Sequence, residues 1–577
     1  MRRLALAALL SVGCTGAIGG SGGGTGPGPV GGGAGMGGGN PPVTTGGNGG
    51  MTVVPPSAQI ACPSSTKETV GARVLRRMTN AELETTIRTT FGLTATQWPG
   101  VSLPPDTGSL DGFTNNIDHL TVGADYAGDA LDGGKAVASL VSVDPTLSKL
   151  LPCAANSKGD ATCADTFIKT FGAKLYRRPL TTAEVGRYQA LYTKVSAQGD
   201  FKSFVYWATV AMLQSPNVIY RSELGQSASG GGYALTPYEV ASQLSYTFTG
   251  GPPSDSLMML AASNQLSTAD QMEAAARTLA FGSATGTTPT PGFRAVMQQF
   301  FSQWLQLGGL SNLKKDSQLF PDYSADVQDS MAEETNQFIS GAVFDDRGTV
   351  KNILTAPYTY VNATLAGYYG FGTATGSAYA RAMRPANWGV GMLAQGSVLS
   401  VQANSLSTSP TRRGHLVRTR LLCGVVPPPP PVVKPISPPT MANTTRQRYE
   451  QLHSTDPNCK ACHATMDEIG FALEHLDSAG RYREMEGAFP IDDSGLIMAT
   501  SAGDVKVAGA TDLANALTRL PEVNDCVAAF AAGYVFGVAH ENAVCLGSNA
   551  AAELRAGSSL VDFYVRLARA EHFRSRQ

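Results

Sequence analysis

Two cysteines separated by two residues and followed at once by a histidine stand at Cys459, Cys462 and His463. On a helix the two thiols lie about one turn apart. Thiols so placed add to the two vinyl groups of a haem, and the histidine then faces the iron as proximal ligand. Two other chemistries use the same residue types. With His453 upstream, the set His453, Cys459, Cys462 and His463 offers four ligands to zinc. An isolated Cys-x-x-Cys is also a redox or structural disulfide. Haem c is the expected cofactor and zinc the alternative, because the chain carries an export signal and c-type haem is attached outside the cytoplasm.

The second axial ligand is not fixed by spacing. Met466 follows His463 by three residues, so it lies on the same side of a haem and is expected to pack beside it. His453, Met441, Met485 and Met498 are far enough along the chain to wrap round. His453 would give bis-His ligation, a methionine a higher potential, and an open position is the third option. Arg481 and Arg483 suit haem propionates, with local pairing to Glu474 or Asp477 as the alternative. Asp492-Asp493-Ser494-Gly495 reads as a turn rather than a calcium loop, since it lacks a full ligand set. Outside the glycine-rich run no Gly-x-Ser-x-Gly elbow is present, nor is a phosphate loop or His-Glu-x-x-His site, and no catalytic residue is assigned.

Helices are expected to position this motif. Thr79 with Glu82, and Thr181 with Glu184, are capping boxes, and Leu83, Ile87 and Phe91 make an apolar stripe closed by Gly92. Helical periodicity also runs near 199–214, 236–249, 268–281, 292–308, 323–344, 390–399, 411–423, 443–455, 510–519, 523–538 and 549–571. The best strand candidate is Ile491 to Met498, with Asp492–Gly495 as its turn. The fold class expected is mainly α: several small helical bundles, and a C-terminal helical unit carrying the Cys-x-x-Cys-His site and a short β-hairpin. Five consecutive prolines, Pro427–Pro431, predict an extended spacer at 427–440. Segments of 59–150, 151–225, 226–375 and 376–426 are expected before it, and a cytochrome-c-like unit at 441–577 after it.

The N-terminus reads as an address. Arg2 and Arg3 precede the apolar run Leu4–Val12, too short to span a bilayer. Leu10-Ser11-Val12-Gly13-Cys14 resembles a lipobox, with Ser11 where leucine is usual, and makes Cys14 the expected lipidation site. Residues 15–58 are mostly Gly, Pro, Thr, Val and Ala, a composition that cannot offset its ordering entropy, and predict a tether. The expected location is the cell envelope or outer surface, on a membrane through the lipid. A net charge of −2 gives no argument for nucleic acid. Of nine cysteines, six remain after lipid and haem are assigned. Cys153–Cys163 and Cys526–Cys545 are the cheapest local closures, which leaves Cys62–Cys423.

The run Met466-Asp467-Glu468-Ile469-Gly470-Phe471-Ala472-Leu473-Glu474-His475-Leu476-Asp477, with Gly480-Arg481-Tyr482-Arg483, resembles the C-terminal signature of a family of exported planctomycete and myxobacterial proteins. These consist of domains of unknown function in series, associated with planctomycete-type cytochrome c. The resemblance extends in order through Arg76-Arg77-Met78-Thr79, Tyr176-Arg177-Arg178-Pro179-Leu180-Thr181, Ser215-Pro216-Asn217-Val218-Ile219-Tyr220-Arg221, Ala241–Tyr246 and Ser409–Gly414. It implies an exported cytochrome-like protein that works with redox or polymer-degrading proteins, and it leaves enzymatic activity unassigned. Non-enzymatic surface binding is the other function class, with the Cys/His cluster as a structural disulfide or zinc site.

Overall fold

Threonines placed just before apolar runs start several helices. Thr79 caps α1 (Asn80–Phe91) and Thr181 caps a helix at Thr182–Ser196, each with the reciprocal glutamate bond expected. In the computed structural model the described residues are 69–577 except 110, 157–159, 198, 229–230, 373, 430–434, 441 and 456. The export signal with Cys14, the tether at 15–58, Cys62, Met441 and Pro430–Pro431 of the proline run therefore lie outside the described residues. Helices dominate, and the sheets are antiparallel and of two or three short strands. Among the described residues no helix is long and apolar enough to cross a membrane.

Two main cores organise the chain. The first joins α1 to α2 (Ala124–Val141), α3 (Ala161–Tyr176) and α4 (Phe201–Leu213), through residues such as Phe91, Val137, Phe167 and Phe204. The expected boundary at 150/151 falls inside this core. Helix α2 has a weak sequence signal because Gly128, Gly133 and Gly134 depress helix propensity. Packing accounts for one of these glycines directly: a Cβ on Gly133 would lie 2.2 Å from Val101. Strand β1 (Val74–Arg77) pairs antiparallel with β2 (Tyr220–Glu223) at the edge of this core.

The second core is larger and runs from Phe113 to Phe573. It takes in α5 (Pro237–Thr249), α6 (Pro291–Trp304) and α7 (Pro410–Arg420); α8 (Thr445–His453) packs against α9 (Pro457–Phe471), which joins this core together with α10 (Pro521–Phe536). Trp304 stacks on Phe300 at 5.6 Å and lies 6.4 Å from Phe530 on α10. Helices on both sides of the proline run thus share one interior. The run does not separate independently cored units, as the 427–440 spacer reading expected. The apolar faces of α6 and α10, with Leu416 and Val417 of α7, bury one another.

The disulfides follow the same packing. Cys153–Cys163 forms as expected. Cys423 bonds Cys526, in place of the expected Cys526–Cys545 and Cys62–Cys423 pairs, and Cys545 is also disulfide-bonded. Cys526 is fully buried on α10 beside the carbonyl of Arg420, so it faces the end of α7. Loop-closure entropy grows only logarithmically, which leaves a separation of 103 residues little disadvantage against a local loop.

Two other expectations shift. The hairpin consists of Ser494–Thr500 and Gly503–Ala508, so its turn is at Ser501-Ala502 and Asp492–Gly495 leads into it. The helix expected at 549–571 breaks at Gly557, with φ +96°, into Ser548–Arg555 and Leu560–Leu567.

The C-terminus returns to the start of the described chain. Gln577 donates its amide to Gly71, and the Gly71 amide donates to His572 Nδ1 at 2.9 Å. Burial, and then Arg576, lower the His572 imidazole to about 3, against the opposing pull of Glu223. Its unfolded value is near 6.5, so the neutral form's stability is fully present above that value and is lost as pH falls towards 3. We expect acidification from about pH 7 to about pH 4 to cost about 3 kcal/mol at this residue. Chemical denaturation of wild type and His572→Gln at both pH values checks this, the variant showing the smaller loss.

Candidate functional site

The motif is held by a close crossing of α7 and α9. Ser409 caps α7, with Pro410 at its first position. Gly414 on α7 faces α9 so closely that a Cβ there would lie 1.7 Å from the Met466 carbonyl oxygen. Reciprocally, a Cβ on Gly470 of α9 would lie 2.0 Å from the Pro410 carbonyl oxygen. The two backbones therefore touch without side chains between them. Met466 is buried at this crossing.

That contact brings Thr411 of α7 to Asp467 of α9, whose carboxylate accepts the Thr411 hydroxyl proton. Asp467 also lies 3.3 Å from His463 Nδ1, one turn back on α9, and 2.5 Å from His453 Nδ1, the last residue of α8. Burial pushes the Asp467 carboxyl up, but hydrogen bonds from His453, His463 and Thr411 outweigh it and hold the group below the ordinary carboxylate value. The ligand atoms of His453, His463 and Asp467 all lie within 4.8 Å of one another.

Cys459 and Cys462 are half-buried free thiols on the first turns of α9. They are not bonded to each other and do not join the His453, His463 and Asp467 group. The zinc set His453, Cys459, Cys462 and His463 is thus not assembled; Asp467 stands where the thiols were expected.

The residues fit a covalent haem on one side and not on the other. His463 turns Nδ1 to Asp467 and Thr411, so Nε2 takes no part in those bonds. A carboxylate behind Nδ1 fixes the tautomer and raises ligand basicity. His453 does not fit as the opposite axial ligand. Its ring centroid is 3.4 Å from that of His463, van der Waals contact with no room for a porphyrin plane between them. Met485 is exposed on a two-residue strand, and the Met498 carbonyl accepts from Arg418.

The segment after α9 is locked from below. Arg413 is buried and donates to the carbonyls of Leu473, Leu476 and Asp477 at 2.7–2.8 Å. Burial raises the Glu474 carboxyl despite Arg483, Arg413 and the Thr408 hydroxyl. Asp477 accepts the amides of Ala479 and Arg481. Arg481 pairs with Asp477 at 3.2 Å and lies over the Phe320 and Tyr368 rings; Arg483 pairs with Glu474. Both arginines have the local partners weighed against propionates above.

Thr411, Asp467 and the Arg413 clamp were not assigned from sequence. Asp467 had a signal, its four-residue spacing from His463. Thr411 had none, since only the crossing brings it near. A second cluster was also missed: Asp111 accepts the His540 amide and Nδ1, with Glu541 adjacent and the His540 ring stacked on Phe530.

These features define an α-helical protein whose Cys-x-x-Cys-His helix is backed by a buried carboxylate. Four family profiles, each described as a protein of unknown function, match in series: PSD3 (DUF1587) at 76–143, PSD5 (DUF1595) at 163–223, PSD4 (DUF1592) at 235–371 and PSCyt3 (DUF1588) at 390–486. The chain belongs to the planctomycete cytochrome-c-associated multi-domain family that this series defines. No curated protein and no solved structure matches it significantly. The PSCyt3 match contains Cys459, Cys462 and His463 together with the segments Ser409–Gly414 and Met466–Arg483 that hold them.

Proposed function

We propose that the protein is an exported, lipid-anchored, c-type-cytochrome-like protein that carries one haem on Cys459 and Cys462, with His463 as proximal ligand, and serves electron transfer. The observation that carries this reading is the pair of free thiols on α9 followed by a histidine whose Nδ1 is engaged by Asp467. The haem would supply the one-electron chemistry. The chain's own residues orient it: the thiols fix its edge, Asp467 and Thr411 set the imidazole, and the α7–α9 crossing keeps that geometry rigid. Cys14 would hold the protein at the envelope, and a redox or polymer-degrading protein would be its partner.

The close grouping of His453, His463 and Asp467 favours one second reading. Two imidazoles and a carboxylate suit a zinc ion, within a surface-binding lipoprotein that is not an enzyme. The two readings separate by intact-protein mass after export in a host able to attach c-type haem. The expected wild-type mass includes one haem that survives denaturation, and Cys459→Ser/Cys462→Ser loses it. A wild type of apoprotein mass holding one zinc per chain would favour the second reading and overturn the first.

A further inference from the structure

The β1–β2 pair sets two arginines directly opposite one another, Arg76 on β1 and Arg221 on β2. Like charges so paired destabilise a sheet, and here each residue is only 3% exposed. Counter-charge is short. Glu82 lies 3.7 Å from Arg221 and already accepts the Thr79 amide. Glu223 is paired with Arg576 at 2.5 Å. A further buried guanidinium, Arg177, donates to the carbonyls of Leu175, Asn217 and Tyr220 rather than to a carboxylate.

The two facing arginines also have donors to spare. Arg76 reaches the carbonyls of Val535 and Asn115 only at 3.5 and 3.4 Å, beyond an ordinary N–H···O bond. Arg221 Nε has no hydrogen-bond partner among the described residues. Burial, and then Arg221, lower the Arg76 guanidinium to about 10 against Glu223 and Glu82. A buried polar group left unpaired calls for a partner, and a bound ion or ligand is one.

Both side chains line a cavity of about 170 Å³. Tyr246 completes its floor beneath the Arg221 guanidinium, and the exposed Ala295 and Gln299 stand at its mouth. The segments Arg76–Thr79, Ser215–Arg221 and Ala241–Tyr246, drawn from three of the matched regions, converge on this space. Nothing in the haem reading uses them.

We propose that this cavity binds a small anionic molecule, its carboxylate or phosphate group held between Arg76 and Arg221. Planar guanidinium forks match either group bidentately. The volume is below the roughly 300–1,000 Å³ of pockets for larger ligands, so the occupant is a single sugar acid, a small organic acid or phosphate, and not a polymer chain.

The test is thermal denaturation and calorimetric titration of the intact protein at fixed ionic strength with galacturonate, inorganic phosphate and glucose. A rise in Tm with galacturonate or with phosphate, absent with glucose, is expected, and whichever anion acts names the source of the group. Arg221→Gln is expected to weaken binding by about tenfold or more. Should that variant fail to fold, Ala295→Trp blocks the mouth from an exposed position and is expected to remove binding at unchanged unliganded Tm. No shift with either anion, an equal shift with glucose, or full binding by the folded variants would overturn the proposal.

Discussion

Gly414→Ala is expected to destabilise the protein by about 3 kcal/mol, although alanine is the better helix former. Gly414 has no positive φ, so on a loosely packed helix the change would stabilise by up to about 1 kcal/mol. Here the new Cβ meets the Met466 backbone at 1.7 Å, and a backbone oxygen on a packed helix cannot swing aside as a side chain end can. The α7–α9 axes must move apart, and Thr411 must then draw away from Asp467. The opposite signs of the two expectations make urea denaturation decisive: a lowered midpoint supports direct backbone contact, and a raised one contradicts it. Gly470→Ala is expected to act in the same direction through Pro410, and the pair to be less than additive because both open one crossing.

Arg413→Met is expected to cost about 3–5 kcal/mol. The guanidinium is buried, and burial lowers it to about 10 against the support of Glu474. Methionine preserves some of the stem, but the carbonyls of Leu473, Leu476 and Asp477 lose their donor in a site where water cannot replace it. Arg413→Lys is not expected to rescue, because one ammonium cannot serve three carbonyls from the same planar fork. Beyond a lower denaturation midpoint, limited proteolysis should open 473–483 first in the variant. A cleavage pattern like that of wild type would show that this segment is held by something other than Arg413.

Local chemistry was legible in the sequence, and long-range chemistry was not. Thr79 with Glu82 and Thr181 with Glu184 wrote their caps within four residues, and both formed. Cys153–Cys163 was readable because it closes on itself. Cys423–Cys526 was not, because it records which helix packs beside which, and that is decided by apolar faces along the whole chain. The proline run looked like a border for the same reason: local stiffness was visible, whereas the interior shared by Trp304 and Phe530 was not. At the site, the motif and its histidine stood in plain view. His453 was noticed as a ligand, yet its contact with the His463 ring depends on where α8 ends against α9. Thr411 and Arg413 lie more than forty residues before the groups they hold, and no spacing rule reaches that far.

The most direct test of the account is the pyridine haemochrome spectrum of the full-length protein after export and acid-acetone extraction. A retained absorbance of c-type position is expected, one haem per chain, lost in Cys459→Ser/Cys462→Ser. A colourless protein, or a haem removed by the extraction, would contradict it.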